Sequence, residues 1–366
     1  MSTTIIFLLV LTVLVFVHEL GHFLAARLFK IRVDEFAIGF PPRVASWMWG
    51  KTRYAINLLP LGGYVKIYGE NPDDERTSDS ILSKPRWQQA IVLVAGVTFN
   101  VVFAWILLSL ALMLGSRVST AALPPELIKD PALTVVMVSP GSPADLAGLK
   151  AGDEILSITN SQQSLATSSL TVEGVQQIIS SAEVTVDMTA RQKASTTEGY
   201  MVRAFDMTPV EGISPGKKAI GISMDNIGEA KAPFFKAFYY GAQQTYYLTI
   251  NVATGLADFL KSVVMGNASL KQVSGPVGIA GAVGESAQTG FSTLLVMAAV
   301  ISANLAVLNL VPFPALDGGR LVVVFIESII RRDINPKILM WVNGIGFLLL
   351  ISLMILVTVK DVAALF

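Results

Sequence analysis

The sequence predicts a polytopic α-helical membrane protein with four transmembrane helices, a membrane-associated β-hairpin or sheet region and one inserted, mainly β domain. Three observations lead to this fold class. The 366 residues are 52% hydrophobic and only 15% charged, whereas soluble domains carry roughly a quarter charged residues. Four apolar stretches are long enough to cross a hydrocarbon core of about 30 Å. A segment of soluble composition, residues 123–210, lies between the second and third stretches.

Each apolar stretch offers the roughly 20 helical residues that a span requires. The first is interpreted as a retained span and not a signal peptide, because no Lys or Arg precedes Ile5 and no small-residue cleavage site follows. Basic residues concentrate in 30–86 and 320–337, which predicts that these loops are cytoplasmic and that the middle segment and both termini lie outside. The stretches run over 4–29, 89–115, 291–316 and 338–359.

Two further segments have membrane-related patterns. The first loop contains β-prone runs at 54–57 and 64–68, so we expect two or more strands folded back toward the first span. An ordinary cytoplasmic hairpin is the alternative. Residues 233–264 are rich in aromatic side chains but too polar for a span, which favours a helix lying at the membrane interface.

The composition also limits the chemistry. The net charge is zero, which gives no indication of a nucleic-acid partner. The chain has no cysteine, so any metal site must use His, Asp, Glu or water. His18 and His22 are the only histidines.

Both histidines belong to His18-Glu19-Leu20-Gly21-His22, which fits the pattern HExxH. Residues four apart share one face of a helix, so both imidazoles can reach one metal ion. Glu19 lies about 100° round the helix, close enough to take a proton from a metal-bound water. Ionisable groups inside a span are costly and are functional candidates for that reason. The alternative is a polar patch that packs two spans together.

A catalytic zinc takes three protein ligands and one open position. Without a third histidine or a cysteine, the third ligand must be a carboxylate. Glu35 and Glu70 fall in the first loop, whereas Asp317 follows an apolar span that Pro312 and Pro314 must break. Broken backbone at membrane depth is tolerated where it is buried or lines a wet cavity, so Asp317 is expected to face the metal. The alternative is that Asp317 only caps the helix that follows.

Together these motifs resemble the site-2 protease family of intramembrane zinc metalloproteases, most closely its bacterial, RseP-like branch. The resemblance rests on HELGH in a first span and N-x-x-P-x-P-x-x-D-G at 309–318, and it continues in 59–66 and 274–279. One departure is Val97, where many relatives have proline. The site residues implied are His18, His22 and Asp317 as Zn²⁺ ligands, Glu19 as catalytic base, and Asn304 and Asn309 as substrate-binding residues. For the two asparagines, interhelical hydrogen bonding is the alternative.

The middle segment resembles a PDZ domain of bacterial proteases through Ser142-Pro-Ala and, from Ala147, A-G-L-x-A-G-D-x-I. We predict a strand over 133–138, a short helix within 139–149, a strand within 151–158 and a helix over 172–182. One copy is present, whereas the best-known bacterial relatives carry two. Expected outside the cell membrane, the domain would bind a carboxyl-terminal peptide or exclude substrates with bulky outer domains. A spacer without a ligand is the alternative.

The predicted organisation follows from these assignments. It is a first transmembrane helix with HExxH at 1–30, a membrane-associated β region at 31–87, a second transmembrane helix at 88–116, the PDZ domain at 123–210, an interfacial helix and linker at 211–289, a third transmembrane segment at 290–332 and a fourth transmembrane helix at 337–360.

The resemblance implies hydrolysis of peptide bonds in the transmembrane segments of single-span membrane proteins. This is the reaction of regulated intramembrane proteolysis, for example of membrane-bound anti-sigma factors or remnant signal peptides. The substrate is expected to pair, as an extended segment, with an edge strand in 31–68. The expected location is the lipid bilayer of a bacterial inner (plasma) membrane, with the active site toward the cytoplasm.

Two alternative classes remain. A non-enzymatic scaffold would recruit partners through the PDZ domain, but a closed structural zinc site would need a fourth protein ligand. A zinc transporter would need several polar residues along successive spans, and these spans are mostly apolar.

Overall fold

The computed structural model describes residues 2–70, 75–139, 141–167, 169–193, 199–214, 216–266 and 274–363. The chain forms two compact units. The first joins Met1–Leu114 to Pro233–Phe366, and the second is Gly115–Ala232. Pro140 of the turn expected in 139–149, and residues 267–273 of the expected linker, lie outside the described residues.

Helices dominate the first unit and strands dominate the second. In chain order the elements are α1 Thr3–Leu28, β1 Val33–Trp49, β2 Thr52–Ile67, α2 Arg86–Leu114, β3 Ser116–Ser119, β4 Ile128–Val138, α3 Pro143–Leu146, β5 Glu154–Thr159, β6 Ser164–Ala166, α4 Val172–Ser181, β7 Val186–Lys193, β8 Tyr200–Met207, β9 Val210–Ser214, β10 Lys217–Ala219, β11 Ile222–Ala230, α5 Phe234–Val264, α6 Pro276–Thr289, α7 Phe291–Leu310, α8 Asp317–Ile330 and α9 Pro336–Ala363.

In the described part of the chain, α1, α2, α7 and α9 are long and apolar enough to cross a membrane. The protein is therefore a multi-pass membrane protein, and the prediction of four helices able to span a membrane is confirmed. The α2 helix runs unbroken through Val97. The third helix is shorter than the predicted 291–316 because α7 ends at Leu310, just before Pro312, which has no amide hydrogen to continue it.

The α2 helix is the centre of the first unit and contacts α1, α5, α7 and α8. Glycines allow α1 to approach it closely: a Cβ on Gly21 would lie 2.5 Å from the carbonyl oxygen of Ala95. Such small residues are what lets helices associate in lipid, where apolar side chains gain little from leaving the hydrocarbon. Beside this contact, α1, α2, α6 and α7 share an aliphatic core of Val10, Leu14, Ala104, Leu107, Leu108, Val283, Ala298 and Ala299.

Strands β1 and β2 bend back on each other to form a small antiparallel sheet. Residues 33–38 pair with 63–67 on one side and with 53–56 on the other, and 43–49 pair with 52–57. The order across the sheet is therefore 43–49, 52–59, 33–40 and 63–67. Within the described residues, 43–49 and 63–67 are its edges, which confirms the prediction of two or more strands in the first loop.

The range 211–289 contains the predicted helix, as α5, and more regular structure than the predicted linker. Its described part contains the last strands of the second unit and two helices, α5 and α6. The first turns of α5 pack on α2 through the buried residues Ala237, Gly241 and Thr245. Trp105 Nε1 of α2 donates a hydrogen bond to the Phe238 carbonyl at 2.8 Å. As predicted, α5 is not among the described helices that are apolar enough to cross a membrane, and its contact with α2 is formed by small residues.

The second unit is built on a seven-stranded sheet with the order β3-β11-β4-β5-β7-β8, in which β6 pairs with β5. Helix α4 covers its core with Val175, Ile178 and Ile179. The two strands and two helices predicted between 133 and 182 are confirmed. The unit extends beyond the predicted 123–210 because β3 pairs with β11, with Ser116 opposite Ala230. The chain therefore enters and leaves this unit at neighbouring positions of one sheet.

Candidate metal centre

Three side chains from α1 and α8 converge inside the first unit. His18 Nε2 and His22 Nε2 lie 3.0 and 3.2 Å from Asp317 Oδ2 and 3.1 Å from each other. A tetrahedral ion with bonds of about 2.0–2.1 Å has ligand atoms about 3.3 Å apart, so these three atoms match three corners of such a site. Among the described residues, this is the one group of three His, Asp or Glu side chains whose ligand atoms all lie within 4.8 Å of one another.

Asp317 reaches the histidines through the break between α7 and α8. The chain turns through Ala315, whose φ is 72°, and restarts as a helix at Asp317. Gly318 and Gly319 make this turn possible, because a Cβ on either would collide with carbonyl oxygens at the end of α7 and in the break. Asp317 begins α8, but its carboxylate oxygen lies against both imidazoles, so helix capping alone does not account for its position.

One face of α2 forms the wall behind the histidines. The Val92 carbonyl lies 2.8 Å from His22 Nδ1. Because a carbonyl can only accept, Nδ1 carries the proton and the lone pair of Nε2 is available to a metal. Gly96 stands one turn further along, and a Cβ there would collide with His22 Nε2 and lie 2.8 Å from His18 Cε1. The missing side chain of Gly96 is therefore what leaves room for both imidazoles.

Glu19 is held by the sheet. Its Oε2 accepts a hydrogen bond from the Val65 backbone N–H at 3.0 Å. Val65 belongs to the edge stretch 63–67, so that edge of the sheet lies directly beside the metal centre. One carboxylate oxygen of Glu19 is thereby held by the sheet.

The two carboxylates that compete with Asp317 in the sequence are engaged elsewhere. Glu35 Oε1 pairs with Arg43 at 2.6 Å and accepts from the Tyr64 hydroxyl at 3.0 Å. Glu70 pairs with Arg320 at 2.7 Å. The second pair ties the loop after β2 to the first turn of α8, three residues after Asp317. Nothing in the sequence pattern indicates this contact, because its members are 250 positions apart.

Asn304 and Asn309 lie on the last two turns of α7. The Asn304 amide donates to the Val300 carbonyl of its own helix at 2.8 Å. Within the described residues, neither asparagine hydrogen bonds to the three metal-facing side chains. The structure thus places both near the helix break that leads to Asp317, and their substrate-binding role stays a prediction.

Asn100 is a site residue that sequence reasoning missed. It is completely buried on α2, one turn beyond Gly96, and its side chain lies 3.2 Å from His18 Nδ1. The available signal was its spacing, because Val92, Gly96 and Asn100 recur every four residues and so share one helix face.

The chain is similar to known proteins over nearly its whole length. The model of peptidase family M50 matches residues 6–353. A provisionally named zinc metalloprotease of Clostridium perfringens is 35% identical over 362 residues, which cover 97% of this chain and 97% of the relative. Provisionally named zinc metalloproteases of Clostridium acetobutylicum (34% over 360 residues; 98% and 96% covered) and of Synechocystis (33% over 358 residues; 96% and 92% covered) are similar to it as well.

The donor set fits zinc. Two imidazole nitrogens and one carboxylate oxygen are ligands of the kind that Zn²⁺ takes at catalytic sites. The described residues supply no fourth His, Asp or Glu within reach, so one coordination position is left for water or substrate. The proton of His22 Nδ1 is held by a backbone carbonyl, which is the usual outer-shell arrangement of a ligating histidine.

We predict that Gly96→Ala weakens Zn²⁺ binding at least about tenfold, or ~1.4 kcal/mol, because the added Cβ occupies the space of the His22 and His18 rings. Competition with a chromogenic chelator on the purified full-length chain measures this affinity. Gly344→Ala in α9 is the matched control, since a Cβ there meets nothing within 4 Å. Wild-type affinity in Gly96→Ala would contradict the role assigned to this glycine.

Proposed function

Because the chain belongs to peptidase family M50, the site-2 proteases, we propose that this membrane metalloprotease is a Zn²⁺-dependent endopeptidase that cleaves transmembrane segments of other proteins. One observation carries the proposal. His18, His22 and Asp317 converge with one open position, and Glu19 stands on the same helix as the histidines. An open position with an adjacent carboxylate suits catalysis, whereas a scaffold would need neither.

In the proposed reaction, Glu19 moves protons. Held by His18, His22 and Asp317, Zn²⁺ would supply Lewis acidity, which would polarise a carbonyl and lower the pKa of a bound water to about 7. Glu19, fixed through Oε2 by the Val65 N–H, accepts the water proton and returns it to the leaving amine. Because α2 holds His18 and His22 in place, the metal position and Glu19 keep a fixed geometry relative to each other.

The edge stretch 63–67 is the proposed site for the substrate backbone. A helical substrate hides its carbonyls in its own hydrogen bonds, so it must become extended before cleavage. Among the described residues no further strand lies outside 63–67, so an extended segment can pair there by strand addition. The Val65 N–H points away from the sheet, toward Glu19, which supports this edge as the one that faces the reaction.

The proposed location is a bacterial inner (plasma) membrane with the site toward the cytoplasm. This orientation requires the basic first loop and the link after α8 to lie on the same side. In support, Arg86 pairs with Glu327 at 2.9 Å and Arg76 pairs with Asp333 at 2.5 Å. With His22 eight residues before Lys30, the centre would lie about 12 Å inside that boundary at 1.5 Å per residue.

The second unit is proposed to be a PDZ domain that limits access to the site. A groove of about 350 Å³ lies between α4 and β11, lined by Gln176, Ile179, Lys217 and Ile222 among others. Such a groove suits a peptide carboxyl terminus, whereas exclusion of bulky substrates would depend only on the unit's bulk. We favour exclusion, because it requires no ligand.

The first test is a cleavage assay on a single-span membrane substrate. We expect Glu19→Gln to lose at least about 100-fold in rate, because general-base catalysis by a positioned group contributes typically 10²–10⁴-fold. Glu285→Gln, the same change on α6, should cleave at the wild-type rate. Equal rates for wild type and Glu19→Gln would refute the enzyme assignment.

The edge-strand proposal predicts that Val65→Pro reduces cleavage, since proline removes the outward N–H. Ser46→Pro, on the opposite edge of the sheet, is the control and should have a smaller effect. The Val65 N–H already bonds Glu19, so a fall in kcat alone would report the released Glu19, and only a rise in KM would report lost pairing of this edge with the substrate. Unchanged kinetics in Val65→Pro would eliminate this edge.

The exclusion proposal predicts that replacing 115–232 with a short linker allows cleavage of substrates that still carry bulky outer domains. Ser116 and Ala230 are paired neighbours, so a few residues can bridge the gap. Gln176→Trp, which fills the groove, should leave selectivity for trimmed substrates unchanged. Retained selectivity after excision would overturn exclusion, and altered selectivity in Gln176→Trp would indicate peptide recognition instead.

A further inference from the structure

Asn100 is a buried polar residue that the proposed reaction does not use. Its side chain has no exposed surface, although it sits in an apolar helix between α1 and α7. The amide nitrogen lies 3.2 Å from His18 Nδ1, and Oδ1 is buried with no hydrogen-bond partner among the described residues. A buried amide with one half unpaired costs free energy, so its presence here calls for a compensating role.

A comparison of the groups that face Nδ1 of His22 and Nδ1 of His18 indicates that role. His22 Nδ1 faces a carbonyl, which fixes its proton there and directs the lone pair of Nε2 to the metal position. His18 Nε2 points at the same position, 3.0 Å from Asp317 Oδ2. For His18 to act as a ligand through Nε2, its Nδ1 must also carry a proton, and that proton needs an acceptor. In the described part of the chain, the Asn100 side chain is the one group that hydrogen bonds to His18 Nδ1.

We propose that Asn100 is a positioning residue of the metal centre: its Oδ1 accepts a hydrogen bond from the His18 Nδ1–H and so fixes the ligating tautomer of His18. A half-turn about the Cβ–Cγ bond exchanges the amide oxygen and nitrogen while the ring stays in place. The oxygen-toward-ring orientation is the one compatible with ligation. The proposal rests on the zinc site of the proposed function, and it makes α2 the source of both outer-shell acceptors, Val92 for His22 and Asn100 for His18.

The backbone of Asn100 is fixed from the other side. Ser302 Oγ of α7 donates to the Asn100 carbonyl at 2.8 Å, and Ser302 is also completely buried. This contact holds the residue but does not reach the ring of His18. Ser302 therefore provides a control that removes a buried polar contact of the same residue while leaving the histidine untouched.

The experiment uses the full-length chain, purified in detergent, with four proteins: wild type, Asn100→Leu, Asn100→Asp and Ser302→Ala. Leucine has similar size and no acceptor, whereas aspartate keeps an acceptor at the same place. Zn²⁺ affinity is measured by chelator competition, the ligand field by the visible spectrum of the Co²⁺-loaded protein, and integrity by thermal unfolding. Asn100→Ala replaces the leucine variant if that variant does not fold.

We expect Asn100→Leu to bind Zn²⁺ about 10–100-fold more weakly, the usual loss when an outer-shell partner is removed, with an altered Co²⁺ spectrum. Asn100→Asp and Ser302→Ala should retain wild-type affinity and spectrum, even if Ser302→Ala unfolds at lower temperature. Wild-type affinity in Asn100→Leu, or an equal loss in Asn100→Asp, would overturn the proposal. Failure of the wild type to bind Zn²⁺ would instead contradict the proposed function itself.

Discussion

The close approach of α1 and α2 at Gly21 and Gly96 is the contact on which the candidate site depends. In a bilayer, apolar side chains gain little by leaving the hydrocarbon, so backbone proximity must supply the packing. Gly21 brings the α1 backbone against the Ala95 carbonyl, and Gly96 leaves the volume that the two imidazoles fill. Without these two glycines, the helices would separate, and the groups on α2 would no longer reach His18 and His22.

A second constraint is that α8 must begin at a fixed place. The chain between α7 and α8 is irregular, and irregular backbone at membrane depth needs surrounding protein to satisfy it. Gly318 and Gly319 allow the restart of the helix to pack against the end of α7. The Arg320–Glu70 pair at 2.7 Å then ties that first turn to the loop after β2. The position of Asp317 is thus fixed by the packing against the end of α7 on one side and by the Arg320–Glu70 pair on the other.

The sequence predicts the chemistry of the site better than its surroundings. The chain has two histidines and no cysteine, so the HExxH motif and one carboxylate after a proline-broken span are nearly the only choice of metal ligands. The four spans follow from length and hydropathy alone. The sequence does not reveal contacts between residues that are far apart in the chain and belong to no recognisable motif. Asn100 reads as one more polar residue in α2, and the contact of Glu19 with Val65 depends on how a bent sheet returns to α1.

The same reasoning applies to the contact of α5 with α2. In α5 the contact face consists of Ala237, Gly241 and Thr245, which add little to its hydropathy. Those small residues are what allows the helix to lie against Ser109 and Trp105 of α2. A hydropathy scale measures the affinity of a residue for lipid, whereas helix association in a membrane depends on how closely two backbones can approach. A hydropathy scale gives almost no weight to Gly21, Gly96 and Gly241. All three lie where another helix or the metal-facing rings come closest to the backbone.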